Sequence, residues 1–406
     1  MAPSSFKTST GLELLPPEMQ CQILQHSADP KSLFNLIRAS PRYLQVFRQF
    51  RPVILCQMTH NYIPSEVLPI AVELLARRRF RGQDLDRAQV ATFLNIFPYH
   101  VPLLKEEFSL KTSIALLSFH NLVENFMVEY ATERLAIISK YLHTETCLSS
   151  NSSLNTSLTR IEKLRLSQAF YHLELYGLLF CPLHSARDVA TITVQSAKFL
   201  GKITKGQLEA FLCVRNFLLE RLTNFLGQVE EDFMEDFLSL GPHPFHISPS
   251  SRWESNDWFF AEDMYPLLQE SWRENCLTRG LCALEIMFNA STAEARLDAM
   301  SNTDFPETTI TTALRLLRDE RTAEESLRGL NPALQTEPAV DESQIWTEAL
   351  PWAQENAHGR RSRFIDIDDV YAEGLRRWGY IIWDQRRLED LGVLKLRYVG
   401  STLLMS

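Results

Sequence analysis

Cys181 and His184 have the residue types and the spacing of one half of a zinc site. A structural zinc site needs four ligands, and His243 and His246 form a second pair that could supply the other two. Nothing in the sequence brings the two pairs together. The alternative is that Cys181 is a core residue and the histidines are polar loop residues, and this alternative is favoured. We therefore expect no metal and no cofactor.

Local signatures of catalysis are absent from the sequence. It contains no Gly-x-Ser-x-Gly, no Walker A segment, no Gly-x-Gly-x-x-Gly and no His-Glu-x-x-His. Acidic runs such as Glu230–Asp232 are typical of solvated faces or helix starts, where negative charge suits the helix dipole. We expect a protein that is not an enzyme, although helical enzymes can lack such local motifs.

Composition indicates an all-α protein of ordinary globular type. Of the 406 residues 45% are apolar and 22% are charged, and the 14 glycines are few for a fold rich in β-turns. The net charge of −9 without a long basic stripe argues against nucleic-acid binding. No apolar run reaches the roughly 18 residues of a membrane span, and the N-terminus lacks the apolar segment of a signal peptide. Seven scattered cysteines suit a reducing compartment, so we expect an intracellular protein of the cytoplasm, the nucleus or both.

Three helix starts can be read within residues 11–58, after ten residues that we expect to be disordered. Pro16 and Pro17 suit the first positions of a helix, where a missing N–H costs nothing. Asp29 and Ser40 are each followed by proline, which is the pattern of a capping residue and the first helical position. The sequence therefore predicts three short helices in this segment.

The rest of the chain is predicted to form a larger, irregular helical body without internal repeats. This body covers residues 59–330 and includes a flexible loop at 149–159, which is rich in Ser, Asn and Thr. A linker is predicted at 331–343. The segment 344–406 is predicted to be helical, with two short helices around Gly379, and to be packed on the body or loosely attached to it.

The N-terminal segment resembles an F-box of the type found in large families of filamentous-fungal proteins. The resemblance rests on Leu14-Leu-Pro-Pro-Glu-Met-Gln-Cys-Gln-Ile-Leu, followed by Asp29-Pro, Leu33, Leu36 and Ser40-x-x-Tyr. Three later stretches look like recurring elements of the same families: Ala169–Tyr176, Cys213–Leu218 and Trp378–Asp384. The F-box resemblance covers about a tenth of the chain.

This resemblance implies a substrate-recognition subunit of an SCF ubiquitin ligase. Such a subunit binds a Skp-type adaptor of a cullin–RING ligase through the F-box and binds a protein substrate through the remaining body. The residues that would contact the adaptor, carried over by position, are Leu15, Pro16, Ile23, Leu24, Leu33, Leu36 and Tyr43.

The sequence departs from the family pattern just before the Asp29-Pro30 turn. Family members usually have a leucine there, whereas this chain has Ser27-Ala28. Loss of an apolar anchor can weaken binding by roughly 2–5 kcal/mol. The alternative is therefore an interaction or scaffold protein in which the F-box helices are purely structural and have no ligase role.

Overall fold

The chain is all-α in the computed structural model. The structure describes residues 11–78, 87–97, 109–146, 156–180, 189–239, 265–301, 310–330 and 370–393. These residues form one 3₁₀ helix and fifteen α-helices, with no strand among them. The all-α fold class predicted from composition is confirmed.

The described residues belong to two compact units. Unit 1 takes its residues from Met1–Arg79 and His100–Asn125, and unit 2 takes its residues from Phe80–Tyr99 and Phe126–Ser406. The division after Asn125 falls inside one long helix, α6 (Leu110–Thr146). Unit 1 is therefore larger than the 11–58 segment that was predicted to form a domain.

Unit 1 begins with a 3₁₀ helix and continues with four α-helices before the first half of α6. Their bounds are Gly11–Leu14 for the 3₁₀ helix, Pro17–Gln25 for α1, Pro30–Ala39 for α2, Pro41–Tyr62 for α3 and Leu68–Arg78 for α4. Each of the three predicted starts is confirmed, because α1, α2 and α3 all begin at a proline. A proline at this position loses no helical hydrogen bond and its backbone is already set for the helix.

The third helix is longer than predicted and is kinked. The backbone of Phe50 leaves the helical region, with φ −112° and ψ 19°, two residues before Pro52. Proline inside a helix removes one hydrogen bond and clashes with the carbonyl group four residues earlier, which accounts for the kink. After the kink α3 continues to Tyr62, so the predicted domain boundary at residue 58 lies inside a helix.

The core of unit 1 joins the N-terminal helices to α6. Its fully buried members on α1 and α3 include Leu24, Ile54 and Met58, and Leu117 of α6 belongs to the same cluster. The Tyr62 hydroxyl also donates a hydrogen bond to the Glu124 carboxylate of α6. Helices α1 to α3 thus share one core with residues more than fifty positions away.

Unit 2 contains the second half of α6 and ten further described helices. Their bounds are Arg87–Ile96 for α5, Arg160–Phe180 for α7, Val189–Lys202 for α8, Lys205–Ser239 for α9, Tyr265–Thr278 for α10, Leu281–Phe288 for α11, Ala293–Ser301 for α12, Ile310–Leu330 for α13, Val370–Trp378 for α14 and Gln385–Asp390 for α15, where the last two lie in the C-terminal segment. Their helical character agrees with the all-α class predicted from the sequence.

Helix α7 lies in the interior of unit 2 and is buried on all sides from Leu164 to Gly177. A helix buried all round is usually apolar all round, yet α7 carries charged residues that need internal partners. Glu162 accepts hydrogen bonds from Arg387 at 2.7 and 2.8 Å. Glu174 accepts one from the backbone N–H of Leu281 at 2.6 Å, at the start of α11. Each buried carboxylate is therefore satisfied by a distant part of the chain.

The described part of the C-terminal segment packs into unit 2. Trp378 and Trp383 are at most 1% exposed, and the Trp383 indole N–H donates to the Trp378 carbonyl at 2.7 Å. Gly379 separates the two predicted short helices and has φ +75°, a conformation that glycine adopts at low cost. Glu209 of α9 pairs with Arg376 at 3.0 and 3.1 Å, so a buried ion pair also holds this segment.

Several predicted features lie outside the described residues. These are the N-terminal ten residues, most of the predicted loop at 149–159, and the predicted linker at 331–343. Within the helices that the structure does describe, none combines the length and the apolar character needed to cross a membrane.

Candidate docking surface

A buried glutamine fixes the segment that precedes α1. The side-chain amide of Gln20, which is 1% exposed, donates to the carbonyl oxygen of Glu13 at 3.1 Å and to that of Leu15 at 2.9 Å. These bonds hold the 3₁₀ helix and the following residue against α1. Leu12 and Leu14 are 55% and 70% exposed on the segment held in this way. The local geometry therefore presents two apolar side chains to solvent on an anchored backbone.

Three of the seven residues that the resemblance assigns to adaptor contact are core residues in this conformation. Leu24 is 0%, Leu33 is 5% and Tyr43 is 4% exposed, and all three belong to the core of unit 1. They are buried because α1, α2 and α3 pack on one another through these positions. A direct contact with a partner would require a different packing of these helices.

The other four assigned residues are accessible in part or in full. Leu15, Ile23 and Leu36 are partly buried, whereas Pro16 is exposed. Ile23 and Leu36 also pack against the edge of the unit 1 core. An adaptor contact at any of the seven positions stays a prediction, and these four are the ones that offer surface for it.

The seven assigned positions leave out several exposed apolar residues of unit 1. Besides Leu12 and Leu14, Met19 of α1 is 47% exposed and Phe34 of α2 is 56% exposed. Phe34 adjoins Leu33 but points to another side of the helix, and the Arg38 guanidinium lies 5.4 Å from the centre of its ring. The exposure of Phe34 could have been predicted from the sequence. At helical spacing Phe34 falls beside the apolar stripe of Leu33, Leu36 and Ile37 rather than in it.

Ser27, the departure from the family pattern, is a buried residue. It is 7% exposed, and its hydroxyl has no hydrogen-bond partner among the described residues. A buried hydroxyl without a partner costs roughly 1–3 kcal/mol. This position therefore suits an apolar residue, and it lies inside unit 1 rather than on its surface.

Two side-chain caps set the directions of α2 and α3. The Asp29 carboxylate accepts from the Ser32 backbone N–H at 2.8 Å and from the Ser32 hydroxyl at 2.7 Å. These hydrogen bonds hold the pKa of the Asp29 carboxyl below its ordinary value. Ser40 caps α3 by accepting from the Arg42 backbone N–H at 3.2 Å. Both caps expected from the sequence are confirmed.

Two buried thiols of unit 2 are not suited to nucleophilic chemistry. Burial raises the pKa of the Cys213 and Cys276 thiols well above its ordinary value, which keeps them protonated. Among the residues that the structure describes, no group of three or more His, Cys, Asp or Glu side chains could hold a metal ion. The half-site formed by Cys181 and His184 lies outside those residues.

Comparisons with protein-family models, with curated proteins and with solved structures gave no match for this chain.

Proposed function

We propose that this chain is an F-box protein, a non-catalytic substrate-recognition subunit of an SCF ubiquitin ligase. Unit 1 docks on a Skp-type adaptor, and unit 2 holds a protein partner. The observation that carries the proposal is the anchored N-terminal segment. There Leu14 is 70% exposed, directly before the Leu15-Pro16 pair that the resemblance assigns to the adaptor.

The exposed apolar residues of unit 1 support this role. Met19 and Phe34 lie on α1 and α2, the two helices that follow the anchored segment. Exposed apolar side chains on short helices are what a hydrophobic surface of a partner binds, and burying each contributes roughly 1.5–3 kcal/mol. The hydrogen bonds from Gln20 reduce the entropy that docking would otherwise cost, because the segment is already ordered.

The mechanism would be one of proximity. A receptor that binds the adaptor with one unit and a protein partner with the other raises the concentration of that partner near the ubiquitin-charged enzyme. No reacting group is required from this chain itself.

Binding of the purified full chain to a Skp-type adaptor tests the proposal. We expect saturable binding in calorimetry that falls at least tenfold for Leu15→Asp with Pro16→Ala and for Phe34→Asp. Val53→Asp is the matched control, since Val53 is 55% exposed on α3 and lies outside the assigned contacts. Absence of binding, or equal affinity for all variants, rejects the proposal.

A scaffold role with purely structural F-box helices is the second candidate. It is favoured by the burial of Leu24, Leu33 and Tyr43 in a core that also includes Leu117 of α6. On this account, deleting residues 1–58 uncovers Leu117 and leaves an aggregated remainder, and the intact chain does not bind the adaptor. A soluble, folded remainder contradicts this account.

A further inference from the structure

Unit 2 contains a polar cavity of about 390 Å³ at which four helices meet. Its walls come from α9, α10, α13 and α14, and four of the residues that line it are arginines: Arg215, Arg273, Arg315 and Arg376. Two carboxylates, those of Glu220 and Glu373, line it as well. The volume lies within the range typical of small-molecule sites, roughly 300–1,000 Å³.

Two of these arginines are held in place by buried carboxylates. Arg215 pairs with Glu274, which also accepts from the Thr311 hydroxyl at 3.1 Å. Arg376 forms two hydrogen bonds with the buried Glu209. A guanidinium has five N–H donors, so it can keep such a partner and still bind a ligand. Their positions are therefore fixed before any ligand arrives.

Arg215 also has a buried donor that the protein does not satisfy. Its Nε–H is buried and has no hydrogen-bond partner among the described residues, although its terminal nitrogens bond to Glu274, Asn216 and Thr311. Buried donors in folded proteins nearly always have a partner, which can be ordered water. The three partners of the terminal nitrogens fix the Arg215 guanidinium at the wall of the cavity.

The cavity is not uniformly basic. Glu220 and Glu373 also line it, as do the hydroxyl groups of Thr223 and Thr311. Glu220 already pairs with Arg134 at 2.7 Å and with Arg377 at 3.6 Å. The carboxylate of Glu373 can accept hydrogen bonds, so it matches donor groups on a ligand rather than its anionic end. A ligand that carries hydroxyl groups as well as an oxyanion fits this mixture better than a bare anion.

We propose that this cavity binds a small hydroxylated organic anion, with its phosphate or carboxylate group held by the arginines and its hydroxyl groups facing Glu373. Planar guanidinium groups bind both kinds of oxyanion through paired hydrogen bonds. This inference goes beyond adaptor docking and does not depend on it.

Calorimetric titration of the full chain with glycerol 3-phosphate and with malate tests the proposal and distinguishes the two oxyanions. Both titrations are done at the same ionic strength, and glycerol serves as the neutral probe. We expect saturable binding of at least one anion and none of glycerol. Arg315→Gln and Arg273→Gln should each weaken the binding at least tenfold, because these accessible arginines line the cavity.

Arg318→Gln is the matched control. In the unchanged chain Arg318 lies on the same helix as Arg315, and its guanidinium pairs with Asp319 at 3.2 Å. Arg318 is not part of the cavity lining. The Arg318→Gln variant should bind the anion with the same affinity as the unchanged chain. Circular dichroism checks that each variant is folded. Absence of saturable binding for both anions, or equal affinity in the Arg315→Gln and Arg318→Gln variants, overturns the proposal.

Discussion

The side-chain Nε2 of Gln20 lies 2.9 Å from the carbonyl oxygen of Leu15, and this hydrogen bond ties the segment before α1 to the helix itself. Gln20 is 1% exposed, whereas Leu14, which precedes the bonded residue, is 70% exposed. The buried Gln20 side chain thus holds the backbone that follows the exposed Leu14 side chain. This relationship is the local basis for treating the N-terminus as a docking surface.

Replacing Gln20 by alanine should loosen this segment. Two hydrogen bonds to backbone carbonyls are lost, and we expect the free energy of unfolding to fall by about 1–2 kcal/mol. Urea denaturation measures the change, and limited proteolysis should cut the variant faster near Leu12. Gln22→Ala is the control, because Gln22 is an exposed residue of the same helix. Equal stability of the two variants would contradict the anchoring role.

The cap on α2 predicts a pH dependence. Because hydrogen bonds from Ser32 lower the pKa of Asp29 in the folded chain, its charged form stabilises folding above the unfolded-state pKa of about 4. That stabilisation is lost as the pH falls through the lower, folded-state pKa. Asp29→Ala should cost about 1 kcal/mol at neutral pH, whereas Asp29→Asn should keep most of the stability because asparagine is also a good cap.

Denaturation curves at neutral pH and at about pH 3 check this prediction. The difference in stability between the unchanged chain and Asp29→Asn should shrink or reverse at the lower pH. A difference that does not change with pH would show that the charge of Asp29 has no part in the cap.

The helix starts could be predicted from sequence because their causes are local. Asp29 and Ser40 lie within three residues of the groups they cap, and the prolines after them restrict only their own backbone and that of the capping residue before them. The extent of unit 1 could not be predicted in this way. Its core includes Leu117, and the pattern of residues 11–58 contains no information about a helix that starts at Leu110.

The surface of unit 1 was only partly predictable for the same reason. Leu24 and Met19 are both apolar residues of α1, yet Leu24 is 0% and Met19 is 47% exposed. Which of them is buried depends on where α3 packs, and this is a long-range contact. The partners of the buried charges on α7 are also distant in sequence, as Glu162 and Arg387 show.

Ser27→Ala should stabilise unit 1. The substitution removes a buried hydroxyl that has no partner among the described residues and leaves the backbone unchanged. We expect a gain of about 1 kcal/mol in the free energy of unfolding, measured by urea denaturation. Ser65→Ala, at an exposed serine of the same unit, should change stability by less than about 0.5 kcal/mol. A loss of stability in Ser27→Ala would mean that the hydroxyl is hydrogen-bonded in solution.

Gly379→Ala should destabilise unit 2 strongly. The residue has φ +75°, and an added Cβ would clash with the Tyr130 hydroxyl oxygen, so backbone strain and a steric clash act together. We expect a loss of more than about 3 kcal/mol in the free energy of unfolding.

Gly392→Ala separates the two effects in the same segment. Gly392 has φ +78°, but no atom lies within 4 Å of an added Cβ. Only the backbone strain remains, so we expect the free energy of unfolding to fall by about 1–2 kcal/mol. Thermal unfolding of both variants compares their losses of stability relative to the unchanged chain. Equal losses would show that the contact with Tyr130 does not constrain Gly379.

Hydroxyl-radical footprinting of the full chain, alone and with a Skp-type adaptor, tests the docking proposal most directly. Radicals modify exposed side chains, and the method reports separately on Met19, Phe34 and Ile286, the last of which is 68% exposed in unit 2. The account predicts that the adaptor slows modification of Met19 and Phe34 and leaves Ile286 unchanged. Unchanged modification of Met19 and Phe34 in the presence of saturating adaptor would contradict it.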